Sequence, residues 1–268
     1  MIPFIRHYLL AVQYFTRIPI TGKLAQWVGY SPEALQSSAA HFPGIGLLIG
    51  SISGVILYGS LELLPPSPIS PLIAAFLSTF TSILLTGAFH EDGLADTADG
   101  LGGSSDRTRS LEIMKDSRIG TYGALALILV IGTKVSLLAL LLSLNPLLAF
   151  TTLLLGHLYS RWISLFVMKM LPPVIETIDS KSKPLVQGVR PYHLTIGTIW
   201  LLGTTIGVTL CISIHYWIVA LLLAVLMGYF FTQNYYKRLG GYTGDCLGAT
   251  QQLTELAFYI GTVFFIGK

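Results

Sequence analysis

The sequence predicts an all-α, polytopic integral membrane protein with about seven transmembrane helices and one N-terminal helix at the membrane surface. Of its 268 residues, 53% are hydrophobic and only 11% are charged. The mean hydropathy of +0.69 is far above that of a soluble domain. Several apolar stretches reach the roughly 20 residues that a helix needs to cross a bilayer. They lack the strand-like alternation of an outer-membrane barrel, so helices are favoured.

Seven stretches are the predicted spans, and residues 1–268 form a single membrane domain without a soluble appendage. The spans cover residues 42–64, 70–90, 121–143, 146–170, 192–212, 215–236 and 249–266. In the first span Gly46, Gly50 and Gly54 recur every four residues, a spacing that lets two helices approach closely. Before it, Arg17 and Pro19 interrupt the apolar N-terminal stretch, which favours an interfacial amphipathic helix over a signal peptide.

The distribution of basic residues predicts which face of the membrane carries the polar segments. If the first span starts in the cytosol, twelve of the 16 Lys and Arg residues lie on that side, as the positive-inside rule requires. The connections on the opposite face contain no Lys or Arg. We therefore expect a site that opens to the cytosol. The twelve residues are Arg6, Arg17, Lys23, Arg107, Arg109, Lys115, Arg118, Lys181, Lys183, Arg190, Lys237 and Arg238.

The segment "GAFHEDGLADTADGLGG" gathers four carboxylates within nine residues at the end of an apolar stretch. Asp92, Asp96 and Asp99 are spaced i, i+4 and i+7, so they share one face of a helix. Close carboxylates repel one another, and a divalent cation removes that difficulty. Mg²⁺ prefers a few carboxylates together with water and phosphate oxygens. The predicted metal ligands are Glu91, Asp92, Asp96 and Asp99, with a solvated acidic turn as the alternative.

Basic residues follow the acidic segment, and together the two suggest chemistry at a diphosphate. Lys115 and Arg118 are candidate phosphate ligands, although cytosolic loops carry such residues in any case. A metal can hold the diphosphate while a carboxylate such as Asp96 or Asp99 accepts the proton of an attacking hydroxyl. Asp96-x-x-Asp99-Gly100 matches the opening of the CDP-alcohol phosphotransferase signature, but the rest of that signature is absent.

Polar residues inside another predicted span form a second set of candidates. The motif "GHLYSRW" places His157 and Arg161 one helical turn apart, where ionisable side chains face the bundle interior or a wet cavity. Arg161 is expected to contact an anionic substrate group, an aspartate, or Glu255 in a structural pair. Near the N-terminus, Arg17 in "FTRIP" either contacts phosphate or extends its charge to the interface.

The motif "LGGYTGDCLGATQQLTELAF" joins a glycine-rich cytosolic loop to the start of the last span. Asp245 is a candidate to complete the metal site or to act as the base. The amides of Gln251 and Gln252 are suited to binding polar edges of a substrate. A glycine-rich loop is weak support alone, but this one lies on the same face as the acidic segment.

Four motifs together resemble the cobalamin synthase family. They are "HEDGLADTADGLGG", "EIMKDSRIGTYG", "GHLYSRW" and "LGGYTGDCLGATQQLTELAF", while "FTRIP" and "FPGIGLLIG" resemble the family's N-terminal part. The resemblance covers nearly the whole chain in the expected order. It implies a polytopic enzyme of the bacterial cytoplasmic (inner) membrane that joins adenosylcobinamide-GDP to α-ribazole, or to its 5′-phosphate. Such an enzyme releases GMP, requires Mg²⁺ and acts at the last assembly of vitamin B12.

The chemistry of the candidate residues fits this reaction. Asp92, Asp96 and Asp99 would hold the metal with Glu91 near them, and Asp245 would be a base or a further ligand. Lys115, Arg118 and Arg161 would hold the diphosphate. The expected partners are the two substrates and membrane lipid, with no nucleic acid, and a homo-oligomer is left open.

Two alternatives remain at the level of the sequence. One is another membrane metal-dependent transferase that uses a CDP-alcohol or a prenyl diphosphate and would share the metal site. The other is a cation-coupled transporter, which also keeps carboxylates in its spans. Transporters usually place polar groups near the midplane and contain internal repeats, whereas these carboxylates cluster at one edge and no clear repeat is visible.

Overall fold

The computed structural model describes residues 2–174, 188–213 and 215–266. Their regular structure is helical, and the one β feature among them is an isolated bridge between Pro173 and Tyr242. This confirms the predicted all-α class. Lys181 and Lys183 lie outside the described residues. The helices are α1 Ile2–Phe15, α2 Gly22–Val28, α3 Pro32–Ser38, α4 Phe42–Leu63, α5 Ser70–Thr86, α6 Phe89–Gly103, α7 Arg107–Met114, α8 Thr121–Leu144, α9 Pro146–Met170, α10 Pro191–Thr209, α11 His215–Leu239 and α12 Gly244–Ile266.

Three helical stretches in the described residues are long and apolar enough to cross a membrane. They are Pro32–Leu63, Thr121–Leu144 and Trp217–Leu239. The pair α5 and α6 makes a fourth candidate, but it is bent by 89°. Three to four such helices are typical of a membrane protein, whereas the predicted number of seven is not confirmed. α5 has only 17 residues, and α9 and α12 carry buried polar side chains within their length.

Helix ends follow local signals in the sequence. Asn145 caps α9, because its side-chain oxygen accepts the Leu148 N–H at 3.0 Å. Gly87 ends α5 in the left-handed conformation, with φ 67°. Proline stands in the first turn of several helices, where its missing N–H has no helical partner to lose. These prolines are Pro43, Pro71, Pro146 and Pro191.

Helix α9 lies at the centre of the bundle and contacts α4, α8, α10, α11 and α12. The glycines of α4 pack against it, as their spacing predicts. A Cβ atom at Gly46 would collide with the carbonyl group of His157, and one at Gly50 would lie 3.1 Å from the Cα of Leu154. Glycine at these positions therefore allows the backbones of α4 and α9 to come into contact.

Helix α6 packs against α12 and α8 through its apolar face. Leu94 forms a small buried cluster with Val130 of α8 and Ala249 of α12. Asp92 on the other side of α6 is exposed. The packing of α6 therefore leaves Asp92 at the surface and Asp96 half-buried, whereas Glu91 and Asp99 are buried.

Candidate functional site

The acidic segment is a separate helix that begins at a sharp turn in the chain. α5 ends at Thr86, and the chain bends by 89° through Gly87 and Ala88 before α6 begins. Ala88 is the one non-glycine residue with positive φ in the described part of the chain, at 61°. That conformation costs a non-glycine residue roughly 1–2 kcal/mol and is concentrated at functional sites. The turn brings the start of α6 beside Arg17, whose backbone N–H donates to the Leu85 carbonyl at 2.7 Å.

The acidic face of α6 meets a further carboxylate from the start of α12. Asp92 is exposed, while Asp96 and Asp245 are half-buried. Asp96 lies within electrostatic range of Asp92, Asp99 and Asp245. Asp245 in turn lies within electrostatic range of Asp92. Without a cation these carboxylates therefore repel one another.

Glycine residues allow α6 and α12 to pack with their backbones in close contact. A Cβ atom at Gly93 of α6 would lie 2.8 Å from the backbone oxygen and 3.0 Å from the Cα of Asp245. A Cβ atom at Gly248 of α12 would lie 3.2 Å from the carbonyl oxygen of His90. Close backbone approach at these glycines is what places Asp245 near Asp96.

Replacing Gly93 by leucine is expected to lower turnover about 10²-fold, because the added side chain must push Asp245 away from the acidic face. The measurement is the initial rate of product release by purified protein in detergent. Gly132→Leu is the matched control, since Gly132 lies in α8 with no atom within 4 Å of its Cβ position. Normal turnover in Gly93→Leu would show that this contact does not align the site.

Asp99 ties α6 to the start of α8. Its Oδ2 accepts the Gly120 N–H at 2.7 Å, and its Oδ1 accepts the Gly123 N–H at 2.8 Å. The first N–H groups of a helix have no partner within it and form the positive end of its dipole. Both carboxylate oxygens of Asp99 therefore have a structural bond, and its predicted part in metal binding and catalysis stays a prediction.

Glu91 is buried, and its side chain is hydrogen-bonded to α12. Its Oε1 accepts a hydrogen bond from Nε2 of Gln252 at 2.8 Å. Oε1 of Gln252 accepts from Nζ of Lys134 at 2.9 Å, and the same Nζ lies 2.6 Å from Oε1 of Glu255. We call this set of four residues the buried chain. It links α6, α12 and α8.

Glu255 is surrounded by polar partners in the bundle interior. Its Oε2 lies 3.2 Å from Nδ1 of His157, and it accepts a hydrogen bond from the amide of Gln251. The hydroxyl of Tyr259 donates to its Oε1 at 2.9 Å. The two amides and His157, predicted to contact substrate, thus have partners within the protein. That prediction is not tested by these contacts.

Arg161 is fully buried close to this cluster. Its Nη1 donates to the carbonyl oxygen of His157 at 3.0 Å, and its guanidinium carbon lies 5.6 Å from the centre of the Phe42 ring. Its Nε has no hydrogen-bond partner. The direct ion pair of Glu255 is with Lys134, so the alternative of an Arg161–Glu255 pair is not what the geometry shows.

Lys134 lies inside the predicted span 121–143, but no sequence motif indicated a role for it. A lysine in such a position is itself a signal, because a buried ammonium group needs an anionic partner. Tyr259, another partner of Glu255, carried no signal beyond its position one turn further along the helix.

The predicted cationic residues take different positions around the acidic helix. Arg17 and Asp92 line a cavity of about 420 Å³ between the end of α1 and the α5–α6 turn. Lys115 and Arg118 are exposed on the loop before α8. Nη2 of Arg118 lies 2.6 Å from Oδ2 of Asp116, and hydrogen bonds from Arg118 lower the pKa of Asp116 to about 2. Arg17 thus shares a cavity with a carboxylate of the site.

The donor atoms at this site are suited to a hard cation. Asp92, Asp96 and Asp245 supply carboxylate oxygens, which Mg²⁺ prefers. In the described residues no three His, Cys, Asp or Glu side chains stand close enough together to hold a metal ion already. Mg²⁺ is usually held by one or two carboxylates plus water and substrate phosphates, so a complete protein cage is not needed.

Three of the four motifs singled out in the sequence lie in α6 or in helices that contact it, and the fourth lies in α9. Helix α6 contacts α7, α8 and α12, and α12 contacts α9. A family model described as cobalamin-5-phosphate synthase matches residues 7–263. The chain belongs to this family.

Curated relatives agree with membership of the cobalamin-5-phosphate synthase family. The chain is 49% identical to a protein of Polaromonas sp. strain JS666, over 96% of each chain. It is 48% identical to one of Polaromonas naphthalenivorans, covering 97% of this chain and 98% of the relative. A protein of Vibrio cholerae is 40% identical, covering 97% of this chain and 94% of the relative. All three bear the name adenosylcobinamide-GDP ribazoletransferase. No solved structure gives a significant match.

Proposed function

We propose that this protein is an adenosylcobinamide-GDP ribazoletransferase. It joins adenosylcobinamide-GDP to α-ribazole, or to its 5′-phosphate, and forms adenosylcobalamin, or its 5′-phosphate, with release of GMP. The observation that carries the proposal is family membership over almost the whole chain, with relatives of that name. The packing of three of the four motifs at the acidic helix α6, with the fourth on the neighbouring α9 in contact with α12, supports it.

The reaction requires a new phosphate ester bond and the departure of a nucleotide. The ribose hydroxyl attacks the phosphorus that is bonded to cobinamide, the bond from this phosphorus to the bridging oxygen breaks, and GMP leaves with that oxygen. The hydroxyl proton goes to a carboxylate, for which Asp96 and Asp245 are the candidates at the meeting point of α6 and α12. Asp99 supports the site by binding the start of α8.

Asp92, Asp96 and Asp245 would hold Mg²⁺ together with oxygens of the diphosphate. Glu91 and Asp99, also predicted as ligands, are bonded to Gln252 and to the α8 backbone. When bound, the metal would neutralise the diphosphate and stabilise the leaving group. The mutual repulsion of the carboxylates and their hard oxygen donors support this assignment.

Removal of divalent metal is expected to bring GMP release down to background, because the carboxylates would then repel the diphosphate instead of binding it with the cation. The measurement is the rate after EDTA treatment, followed by addition of Mg²⁺ in excess of the chelator. Full recovery with Mg²⁺ is the expected result. Turnover that persists in EDTA would remove the metal from the proposal.

The cationic residues of this face would bind the phosphate groups. Arg17 has the strongest support, because it shares a cavity with Asp92 at the start of the acidic helix. Lys115 and Arg118 lie exposed at the entrance to α8 and would act at the outer edge of the site. For His157, Arg161, Gln251 and Gln252, burial and internal hydrogen bonds favour support of the helices over direct substrate contact.

The arrangement in the membrane is also part of the proposal. Helices α4, α5, α8, α9, α10, α11 and α12 would cross the bacterial inner membrane, with the acidic helix facing the cytosol. The excess of Lys and Arg on that side supports this orientation. Helix α1 would lie at the interface among the lipid headgroups, because Ile2, Phe4 and Ile5 are exposed at its start.

The decisive experiment supplies purified protein with adenosylcobinamide-GDP, α-ribazole and Mg²⁺ and measures GMP. Release of GMP that depends on both substrates is the expected result. If no GMP forms while a CDP-alcohol or a prenyl diphosphate reacts, the protein is another membrane transferase. Uptake of a corrinoid into vesicles without chemical change would identify a transporter.

A further inference from the structure

The orientation of Glu91 separates it from the carboxylates next to it in the sequence. Successive residues of a helix are about 100° apart around its axis. Glu91 and Gly93 therefore lie on either side of the face that carries Asp92 and Asp96. Both are in contact with α12, Glu91 through the amide of Gln252 and Gly93 through the backbone of Asp245. Helix α6 is thus held against α12 from both sides of its acidic face.

The bond between Glu91 and Gln252 is part of a charge-balanced cluster. Lys134 bonds to both Gln252 and Glu255, so that Glu91 and Glu255 are linked through one amide and one ammonium group. Together with the nearby buried Arg161, the cluster contains two cationic residues and two carboxylates. Burial of charges is tolerated only when they are compensated in this way.

The carboxylate of Glu91 is not explained by stability alone. Its Oε2 is buried and has no hydrogen-bond partner, which is a cost that a shorter apolar side chain would avoid. The bond it does make is directed to the helix that also carries Asp245. A carboxylate held there fixes the rotation of α6, and hence the direction in which Asp92 and Asp96 point.

We infer that Glu91 is a positioning residue that acts through Gln252, and that it touches neither the metal nor the substrate. The buried chain Glu91–Gln252–Lys134–Glu255 sets the rotation of the acidic helix against α12. This inference rests on the proposed transferase reaction, since it assigns the residues that align that reaction's carboxylates.

An exchange of the two bonded side chains tests the inference. Gln252→Glu alone sets a second carboxylate against Glu91, and Glu91→Gln alone removes one charge from the balanced cluster. The double variant Glu91→Gln/Gln252→Glu restores the charge balance, lets the new amide donate to the new carboxylate, and keeps that carboxylate next to Lys134. It leaves position 91 without a carboxylate.

We expect Gln252→Glu to lower kcat about 10- to 100-fold with the KM of α-ribazole nearly unchanged. Loss of a hydrogen bond that orients the metal-binding residues without touching the metal typically has an effect of this size. Glu91→Gln should lower kcat by a smaller factor. The double variant should return kcat to within about threefold of the wild type, along with the thermal midpoint measured without added metal. If Gln252→Glu does not accumulate in the membrane, Gln252→Met keeps the volume, removes the amide and should show the same loss of kcat.

Two outcomes would overturn the inference. If the double variant recovers its thermal midpoint but stays inactive, the carboxylate of Glu91 itself takes part in metal binding or chemistry. If the single variants lose thermal stability but keep the wild-type kcat, the buried chain is only structural. Thr205→Val, which removes the 3.0 Å hydrogen bond to Tyr159 elsewhere in the bundle, is the control for a lost side-chain hydrogen bond between two helices. Failure of the wild type to release GMP would instead refute the proposed function.

Discussion

Asp96→Asn is expected to reduce turnover about 10²- to 10³-fold while the protein stays folded, because the central carboxylate of the site loses its charge. Asp96 lies among Asp92, Asp99 and Asp245, so it is the group best placed to share a cation with them. Its amide replacement has nearly the same size and removes part of a repulsion, which should leave the thermal midpoint unchanged or slightly raised. The measurements are GMP release and thermal unfolding in detergent.

Two asparagine variants show whether the effect is specific to Asp96. Asp106→Asn should keep wild-type turnover, because Asp106 is exposed and caps α7 through the Arg109 N–H at 2.8 Å, a bond that asparagine also makes. Asp99→Asn should lose stability as well as turnover, since its amide cannot accept both N–H groups of α8, and an unpaired buried N–H costs about 1–3 kcal/mol. Wild-type turnover of Asp96→Asn would refute the site assignment.

The second large effect is expected in the stability of the bundle. Glu255→Gln leaves the ammonium group of Lys134 buried without its anion, and breaking such a pair costs about 3–5 kcal/mol. Lys134 and Glu255 are only 5% and 1% exposed, so solvent cannot replace the lost charge. The expected result is a large fall in the thermal midpoint and in the amount of folded protein recovered from membranes.

A second substitution in the same background distinguishes lost pairing from lost packing. Lys134→Met combined with Glu255→Gln removes both charges and should recover most of the stability. Glu112→Gln is the surface control, because its pair with Arg109 is more than half exposed and should contribute less than about 1 kcal/mol. An equal loss of stability in the single and double variants would contradict a dominant role for the ion pair.

The sequence predicted several structural features correctly, and each depended on residues near one another in the chain. The acidic segment forms a helix, as its i, i+4 and i+7 spacing indicates. Gly46 and Gly50 pack against another helix, α9, as small residues at that spacing do in membranes. Such features are fixed by local backbone preferences and need no information on distant contacts.

The division between α5 and α6 was not predicted. Residues 70–90 read as one continuous span, because apolar composition does not show that Gly87 and Ala88 adopt positive φ. A left-handed alanine is unfavourable by local preference, so its conformation here depends on the surrounding structure, including Arg17 packed against Gly87.

The composition and motifs by themselves determined that the chain is helical, suited to a membrane and a member of one enzyme family, because hydropathy and motif order are properties of the linear chain. Only the tertiary structure decided that Glu91 faces the interior, that Asp99 holds the start of α8, and that Lys134 pairs with Glu255. All three bonds join different helices. Their formation depends on how the helices rotate against one another, and residue spacing within a single helix does not specify that rotation.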